Sequence, residues 1–355
     1  HLYRVRMKFL LYVVGLGGAI ALGVFPRPQV RRPLLTRILT VALVVAVTFL
    51  TFLPPLVGTF GDAIMNRERH AAQPKVNVLV RPDIGSVDSL LTLAYAEPGA
   101  PVPLVLRFAS TEVLDRARAC DPSAPMLVTV TNEGDHRRFL VHAVLGTKPL
   151  LILPYIPALE ERSRIMFLHV PMSWVGFLAF IVTLWYSVSY LRRENPDHDL
   201  MAAASAGIGL LFCSLAYVTG ALWAKFNWGK FFNWDMREFS VLVLLLIYGA
   251  YFVLRSSMPE SARRSRISGV YAIVSCVAAL FLLFIVPRMT ESLHPGSQSD
   301  TNAGPILSTQ ADAINITKAY IFSLSLAAFT LLYFWMLNLS IRLRSAENAM
   351  RERMR

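Results

Sequence analysis

Apolar positions along this chain fall into two kinds of run. Six runs are long and almost free of charge: about 38–57, 165–191, 201–222, 238–254, 268–287 and 317–340. A helix needs about 20 consecutive apolar residues to cross a hydrocarbon core. Backbone polar groups in lipid must find partners within the chain, so each run predicts a transmembrane helix. The second kind of run is short and alternates apolar with polar residues. It occurs in Lys75–Val80 (KVNVLV), Val102–Phe108 (VPLVLRF), Met126–Thr131 (MLVTVT) and Arg137–Leu145 (RRFLVHAVL). Alternation of period two predicts half-buried strands, and Asn132–Asp135 (NEGD) between two of them predicts a hairpin turn. The expected fold class is an all-α polytopic membrane protein with six transmembrane helices and an inserted β-rich domain, itself expected to be a small β-sandwich.

The domain plan follows. Residues 1–37 form an amino-terminal apolar segment and a basic loop, and 38–57 the first transmembrane helix. Residues 58–160 form the β-rich insertion, 161–341 the main membrane domain, and 342–355 a basic tail. One piece fits poorly: residues 9–25 (FLLYVVGLGGAIALGVF) are apolar but short and glycine-rich, with Arg4, Arg6 and Lys8 before them and Arg27 after. They read as a seventh span with an external start, as an interfacial helix, or as the remnant of a signal sequence.

Charge fixes the expected orientation. Only 16% of the residues are charged, against roughly 25% in soluble domains. The net charge of +12 could signal nucleic-acid binding. Here, however, the basic residues sit in short segments beside the apolar runs. They are Arg27, Arg31, Arg32 and Arg37; Arg192 and Arg193; Arg255, Arg263, Arg264 and Arg266; and Arg342, Arg344, Arg351, Arg353 and Arg355. That is the positive-inside pattern of a cytoplasmic membrane protein, with membrane lipid and not nucleic acid as its surroundings. It predicts a cytoplasmic carboxyl terminus and three extracytoplasmic segments, about 58–164, 223–237 and 288–316. The three cysteines, Cys120, Cys213 and Cys276, have no spacing that suggests a redox pair, a zinc site or a covalent haem site.

The second extracytoplasmic segment carries the densest chemistry. Gly220–Ser240 reads GALWAKFNWGKFFNWDMREFS, with three of the chain's six tryptophans within twelve residues. An aromatic belt at the membrane interface explains one or two such residues per helix end. Trp223, Trp228, Phe231, Phe232 and Trp234 together form a platform, interleaved with Lys225, Lys230, Asp235 and Arg237. Flat apolar surface beside cations suits a flat macrocycle with acidic arms. Two histidines share that side: His169 at the start of the second span and His294 just beyond the fifth. Imidazoles are standard axial ligands of haem iron. In the β-rich insertion, Cys120, Met126, His136 and His142 include copper-ligand types, but their order does not match a blue-copper site.

These motifs resemble the haem-handling membrane proteins of cytochrome c maturation, defined by a tryptophan-rich "WWD" segment, and most closely the CcmC group. That group's segment runs roughly WGxxWxWD after a W-A-K stretch. Here Trp223-Ala224-Lys225 precedes Trp228-Gly229, Trp234 and Asp235, with Phe232 at the central tryptophan position. The group's RIMYIHVP motif matches Arg164–Pro171 around His169, and its TLHQG motif matches SLHPG around His294. Glu238 stands where the group usually has an apolar residue. The resemblance covers about 155–340 well and leaves the β-rich insertion uncovered.

The resemblance implies non-covalent, transiently bound b-type haem, with His169 and His294 as axial ligands of the iron. It implies that Trp223, Trp228, Phe231, Phe232, Trp234 and Asp235 form the platform, with Lys225, Lys230 and Arg237 as partners for propionates. It also implies delivery to a CcmE-like haem chaperone, helped by CcmA/CcmB-like ABC transporter subunits and a small CcmD-like membrane subunit. Larger relatives carry further histidines within the membrane. This chain has none buried in its six clear spans, which predicts a single haem site at the surface and no haem channel. The competing reading is a transporter of an organic cation, held by cation–π contact. The segment's three cations against two acids argue against it. No G-x-S-x-G, HExxH or paired-carboxylate arrangement points to an enzyme.

Overall fold

The computed structural model describes residues 2–25, 27–52, 58, 60–69, 73–83, 90–96, 103–120, 125–147, 164–294 and 316–353. The chain divides into two compact units, residues 1–52 with 162–355, and residues 53–161.

The larger unit is helical. Its described helices are α1 (Leu2–Val24), α2 (Leu34–Phe52), α5 (Met166–Arg193), α6 (Pro196–Trp228), α7 (Met236–Ser256), α8 (Ala262–Leu280), a π-helical turn (Phe281–Ile285), α9 (Val286–Met289) and α10 (Ile316–Arg353). Six stretches are long and apolar enough to cross a membrane: α2, α5, α6, α7, α8 with its continuation to Met289, and Ala319–Glu347 of α10. The chain is thus a polytopic membrane protein. Residues 53–57 of the expected first span, and 295–315 of the third loop, lie outside the described residues.

Small side chains let the central helices approach closely. Gly176 on α5 sits against the backbone of Cys213 on α6, where a Cβ would lie 3.3 Å from the Cys213 nitrogen. Gly209 makes room for the Phe180 ring, which stacks on Tyr248 of α7 at 3.7 Å. Close approach of this kind replaces the hydrophobic drive that lipid removes. Several polar groups in this interior pair with one another. Ser205 donates to the Ala179 carbonyl and shares a 2.8 Å bond with the Tyr333 hydroxyl. At the far end of the bundle from His169, Arg255 grips Asp199 through two bonds, at 2.6 and 2.9 Å, and Ser265 adds a third.

α1 packs along α10 in parallel register. Tyr12 meets Phe322 edge to face at 5.3 Å, Ser323 donates to the Leu11 carbonyl, and Gly23 lies against the Phe334 ring. At 23 residues the helix is about 35 Å long. Residues 9–24 of the apolar segment thus lie within a helix packed against α10.

Two prolines shape α5 and the end of α8. Pro171 cannot donate to the Phe167 carbonyl, and Ser325 of α10 donates there instead. Pro287 would likewise clash with the carbonyl four residues back. The chain widens into the π-helical turn just before it, where the Val286 amide reaches back to the Phe281 carbonyl. A π-turn is a common response to such an obstruction and often marks a functional position.

The smaller unit holds α3 (Phe60–Arg69), β1 (Val76–Asp83), β2 (Leu91–Ala96), β3 (Leu104–Phe108), α4 (Thr111–Arg118), β4 (Met126–Asn132) and β5 (Arg138–Thr147). The expected sandwich is instead a closed barrel, ordered β1-β2-β3-β5-β4. Closure comes from β1 pairing with both β2 and β4 and from the parallel pairing of β3 with β5. Alternation in β4 puts Met126, Val128 and Val130 inside, with Leu106, Phe108, Phe139 and Val141. The NEGD segment forms the turn between β4 and β5. Gly134 takes φ +103 there and its amide donates to Asn132 Oδ1. Val102, part of an expected strand, and residues 148–163 lie outside the described residues. Three of the four copper-type residues have other engagements: Met126 is in the core, His142 Nε2 pairs with Thr131 at 2.9 Å, and Cys120 donates to the Arg116 carbonyl; His136 is exposed in the β4–β5 turn. Among the described residues, no group of three His, Cys, Asp or Glu side chains is placed to hold a metal ion.

Candidate haem site

One end of the helical unit gathers the residues singled out above. The second turn of α5 supplies His169, the carboxyl end of α6 supplies Trp223 and Trp228, and the loop to α7 supplies Phe231–Asp235. The π-turn and α9 lead to His294. His169, Phe231, Phe232, Arg237 and His294 line one cavity of about 190 Å³. The rest of its wall is largely apolar and includes Tyr217, Val241, Leu282, Leu283 and Pro287. Pockets that enclose a drug-sized ligand run from about 300 Å³ upward. A macrocycle entering here keeps part of its surface outside the protein.

Both imidazoles are fixed through Nδ1. His169 Nδ1 lies 3.0 Å from the Ala216 carbonyl oxygen and 3.1 Å from Thr219 Oγ1. A carbonyl can only accept, so Nδ1 carries the proton and a neutral ring leaves the Nε2 lone pair free. His294 Nδ1 lies 3.1 Å from Asp235 Oδ1. A carboxylate also only accepts, so Nδ1 of His294 carries a proton too, and in the neutral ring Nε2 is the nitrogen with the free lone pair. Ligand histidines commonly hold their second ring nitrogen in this way, which sets the tautomer and raises the basicity of the other.

Asp235 does more than edge the platform. It is the amino-terminal cap of α7, with Oδ1 accepting from the Arg237 amide at 2.9 Å. Its Oδ2 accepts from Ser292 at 2.8 Å and from the Leu293 amide at 2.7 Å. Burial by itself raises the carboxyl's pKa, but the bonds from His294, the Leu293 amide and Ser292 outweigh it. They hold the group well below the ordinary carboxylate range. The site therefore keeps a buried anion behind His294.

The aromatics divide by position. Phe231 and Phe232 face the cavity. Trp228 meets the His294 ring edge to face at 5.0 Å. Trp234 is 80% exposed, touches Phe232 at 5.1 Å, and has φ +55, a left-handed conformation that tryptophan rarely takes. Trp223, in the last two turns of α6, is half-buried and does not line the cavity. Among the basic residues, Arg237 reaches the cavity. Lys225 donates to the Gly229 carbonyl at 2.9 Å and lies over Phe231 at 5.6 Å, and Lys230 is exposed.

Glu238 now has a visible role. It accepts from the Asn233 amide at 2.6 Å and so ties the loop to the first turn of α7. The spacing after the capping Asp is that of a capping box, but the carboxylate takes the Asn233 amide and not the amide of Asp235 itself. Leu282, Leu283 and Pro287 of the cavity wall were not singled out in the sequence, although a proline inside an apolar run marks the helix irregularity that exposes them.

A family model described as Heme exporter protein C matches residues 141–355. The chain belongs to that family. The matched stretch carries both histidines and the aromatic segment, and includes only the end of the β-rich unit. Among curated relatives, heme exporter protein C of Bradyrhizobium diazoefficiens is 33% identical over 134 residues, covering 38% of this chain and 51% of that protein. The Paracoccus denitrificans protein of the same name is 28% identical over 179 residues, 50% of this chain and 71% of that one. The Escherichia coli K12 protein is 32% identical over 142 residues, 38% and 54% respectively. Against the first of these the match spans about half of the relative's length.

Proposed function

We propose that this chain binds haem at the His169–His294 end of the helical unit and hands it on during cytochrome c assembly, with haem as cargo. The observation that carries the reading is the pair of imidazoles on one apolar cavity, each with Nδ1 tied and Nε2 left to donate to iron. The donor set suits haem iron, and the family name of the relatives agrees with it. Arg237 on the cavity wall supplies a charge partner for a propionate. Lys225 and Lys230 lie farther out, where propionates of a partly exposed macrocycle are reachable.

Partial exposure suits delivery better than storage. A cargo held by two axial bonds and an open apolar face leaves once a recipient supplies a competing ligand. The recipient is a haem chaperone of the CcmE type, with ABC transporter subunits of the CcmA and CcmB types and a small CcmD-like subunit completing the assembly. The site faces the extracytoplasmic side of the bacterial inner membrane, a reading supported by the positive-inside pattern of the basic segments. The chain acts as a carrier and not as an enzyme.

The test is a visible spectrum of the purified protein and of its His169→Ala and His294→Ala variants. Each single variant should retain less haem, with added imidazole restoring part of the loss. An unchanged Soret band in the double variant places the ligands elsewhere.

A further inference from the structure

A second polar niche lies in the helical unit where α1 gives way to α2. Arg32 is 5% exposed there, and its guanidinium donates to the carbonyls of Leu22, Gly23 and Phe25, the orphan acceptors at the end of α1. Arg37, in the first turn of α2, lines the same niche with Thr36, Thr40, Phe334 and Trp335. The Nε atoms of both arginines are shielded from solvent and without a hydrogen-bond partner.

Among the described residues, the segments that line the niche bring no acidic side chain to these two cations. Residues 1–61 contain no Asp or Glu, and α10 has none before Glu347. The amino-terminal end of α2 adds the positive end of a helix dipole, with no acidic residue in its first turn. Carbonyls satisfy hydrogen-bonding capacity of Arg32 but not its charge, and two guanidinium groups in a niche whose walls bring no counter-charge call for an anion. The niche has room for about 10 Å³, enough for one water-sized group and too small for an organic ligand. One oxygen of a tetrahedral anion fits, with the remainder outside.

We propose that this niche binds the phosphate of an anionic phospholipid, with one phosphate oxygen between Arg32 and Arg37 and the acyl chains along the outer face of α2. The outer face is what favours a lipid over free phosphate. Leu35, Ile38, Val41 and Val45 are all exposed and continue away from the niche along one side of the helix. Basic pockets between membrane helices commonly take such head groups. The occupied niche would fix the α1–α2 corner against α10, where Asn338 already holds the Pro28 and Val30 carbonyls.

The test uses the full chain in detergent and native mass spectrometry. Phosphatidylglycerol and phosphatidylcholine with matched acyl chains are the lipid probes, and inorganic phosphate is the soluble one. The wild type should retain one phosphatidylglycerol in preference to phosphatidylcholine. Arg37→Gln should lower that preference about tenfold, the worth of one charge-assisted bond. Arg27→Gln, in the same segment but outside the niche, should leave it unchanged, and the thermal melt of each variant checks that it is folded. Equal retention of the two lipids overturns the proposal, as does an equal loss in Arg27→Gln and Arg37→Gln, which would mean diffuse charge. Displacement of the lipid by millimolar inorganic phosphate overturns the lipid assignment in favour of a free-anion site.

Discussion

The Asp235 carboxylate stands 3.1 Å from His294 Nδ1, and the same oxygen caps the first turn of α7. One side chain thus anchors a helix and orients a candidate iron ligand. The two duties can be separated by substitution. Asparagine at this position remains a good helix cap, whereas alanine does not. Asp235→Ala should lower thermal stability by about 0.5–2 kcal/mol and also lower haem retention. Asp235→Asn should keep most of the stability yet weaken haem binding by about 10–100-fold, the usual effect of losing a ligand's supporting carboxylate. Haem titration and a melt of each variant check this. Wild-type affinity in Asp235→Asn would leave Asp235 with the capping role alone.

Gly220 offers a test that touches no ligand. A Cβ at this position would sit 3.0 Å from His169 Cε1. Gly220→Ala should therefore push the imidazole off its bond with the Ala216 carbonyl, lowering haem occupancy and shifting the bound spectrum. Gly249→Ala, on α7 with open space around it, is the matched control. It should bind haem normally and be slightly stabilised, by about 0.5–1 kcal/mol, because alanine favours a helix.

Trp234 and Trp228 should respond differently. The left-handed backbone at Trp234 is strained for any side chain, so Trp234→Gly should leave stability unchanged or higher. If the exposed indole contacts porphyrin, the same variant loses haem. Trp228→Ala removes the edge-to-face contact with His294, worth about 0.5–1.5 kcal/mol, and so costs up to about tenfold in affinity. Wild-type haem occupancy in both variants would reduce these tryptophans to interface anchors.

Ser325 and Pro171 should be energetically coupled. Ser325→Ala leaves the buried Phe167 carbonyl unpaired, which costs about 1–3 kcal/mol. Pro171→Ala supplies an amide that can take Ser325's place. The double variant should then melt higher than Ser325→Ala alone, in a double-mutant cycle measured in detergent. Additive losses would show that the serine acts by packing and not by serving that carbonyl.

Topology is checked with reporter fusions after Thr129 and after Arg344. The charge pattern predicts opposite sides of the membrane. Signals from the same side would remove the extracytoplasmic assignment of the site.

How far the sequence reached depended on whether a property is local. Crossing lipid requires only length and apolarity, so the six spans were legible to within a few residues at most ends. The structure lengthened α6 to Trp228 and carried α10 on to Arg353, because a helix runs past the lipid wherever its backbone is satisfied. The aromatic segment and the two histidines were legible because their residue types are unusual for their surroundings. Strand alternation reports burial but not partners. It therefore could not tell a sandwich from a barrel, a choice made by the parallel pairing of β3 with β5, and β2 (Leu91–Ala96) was missed because its large apolar residues Leu91, Leu93 and Tyr95 are exposed while Thr92 and Ala94 are buried. The same limit hid the support of the site. Asp235 and His294 are 59 positions apart, and His169 and Ala216 are 47 apart. Only the folded chain brings those partners within hydrogen-bond reach, and with them come the tautomers that leave both Nε2 atoms free.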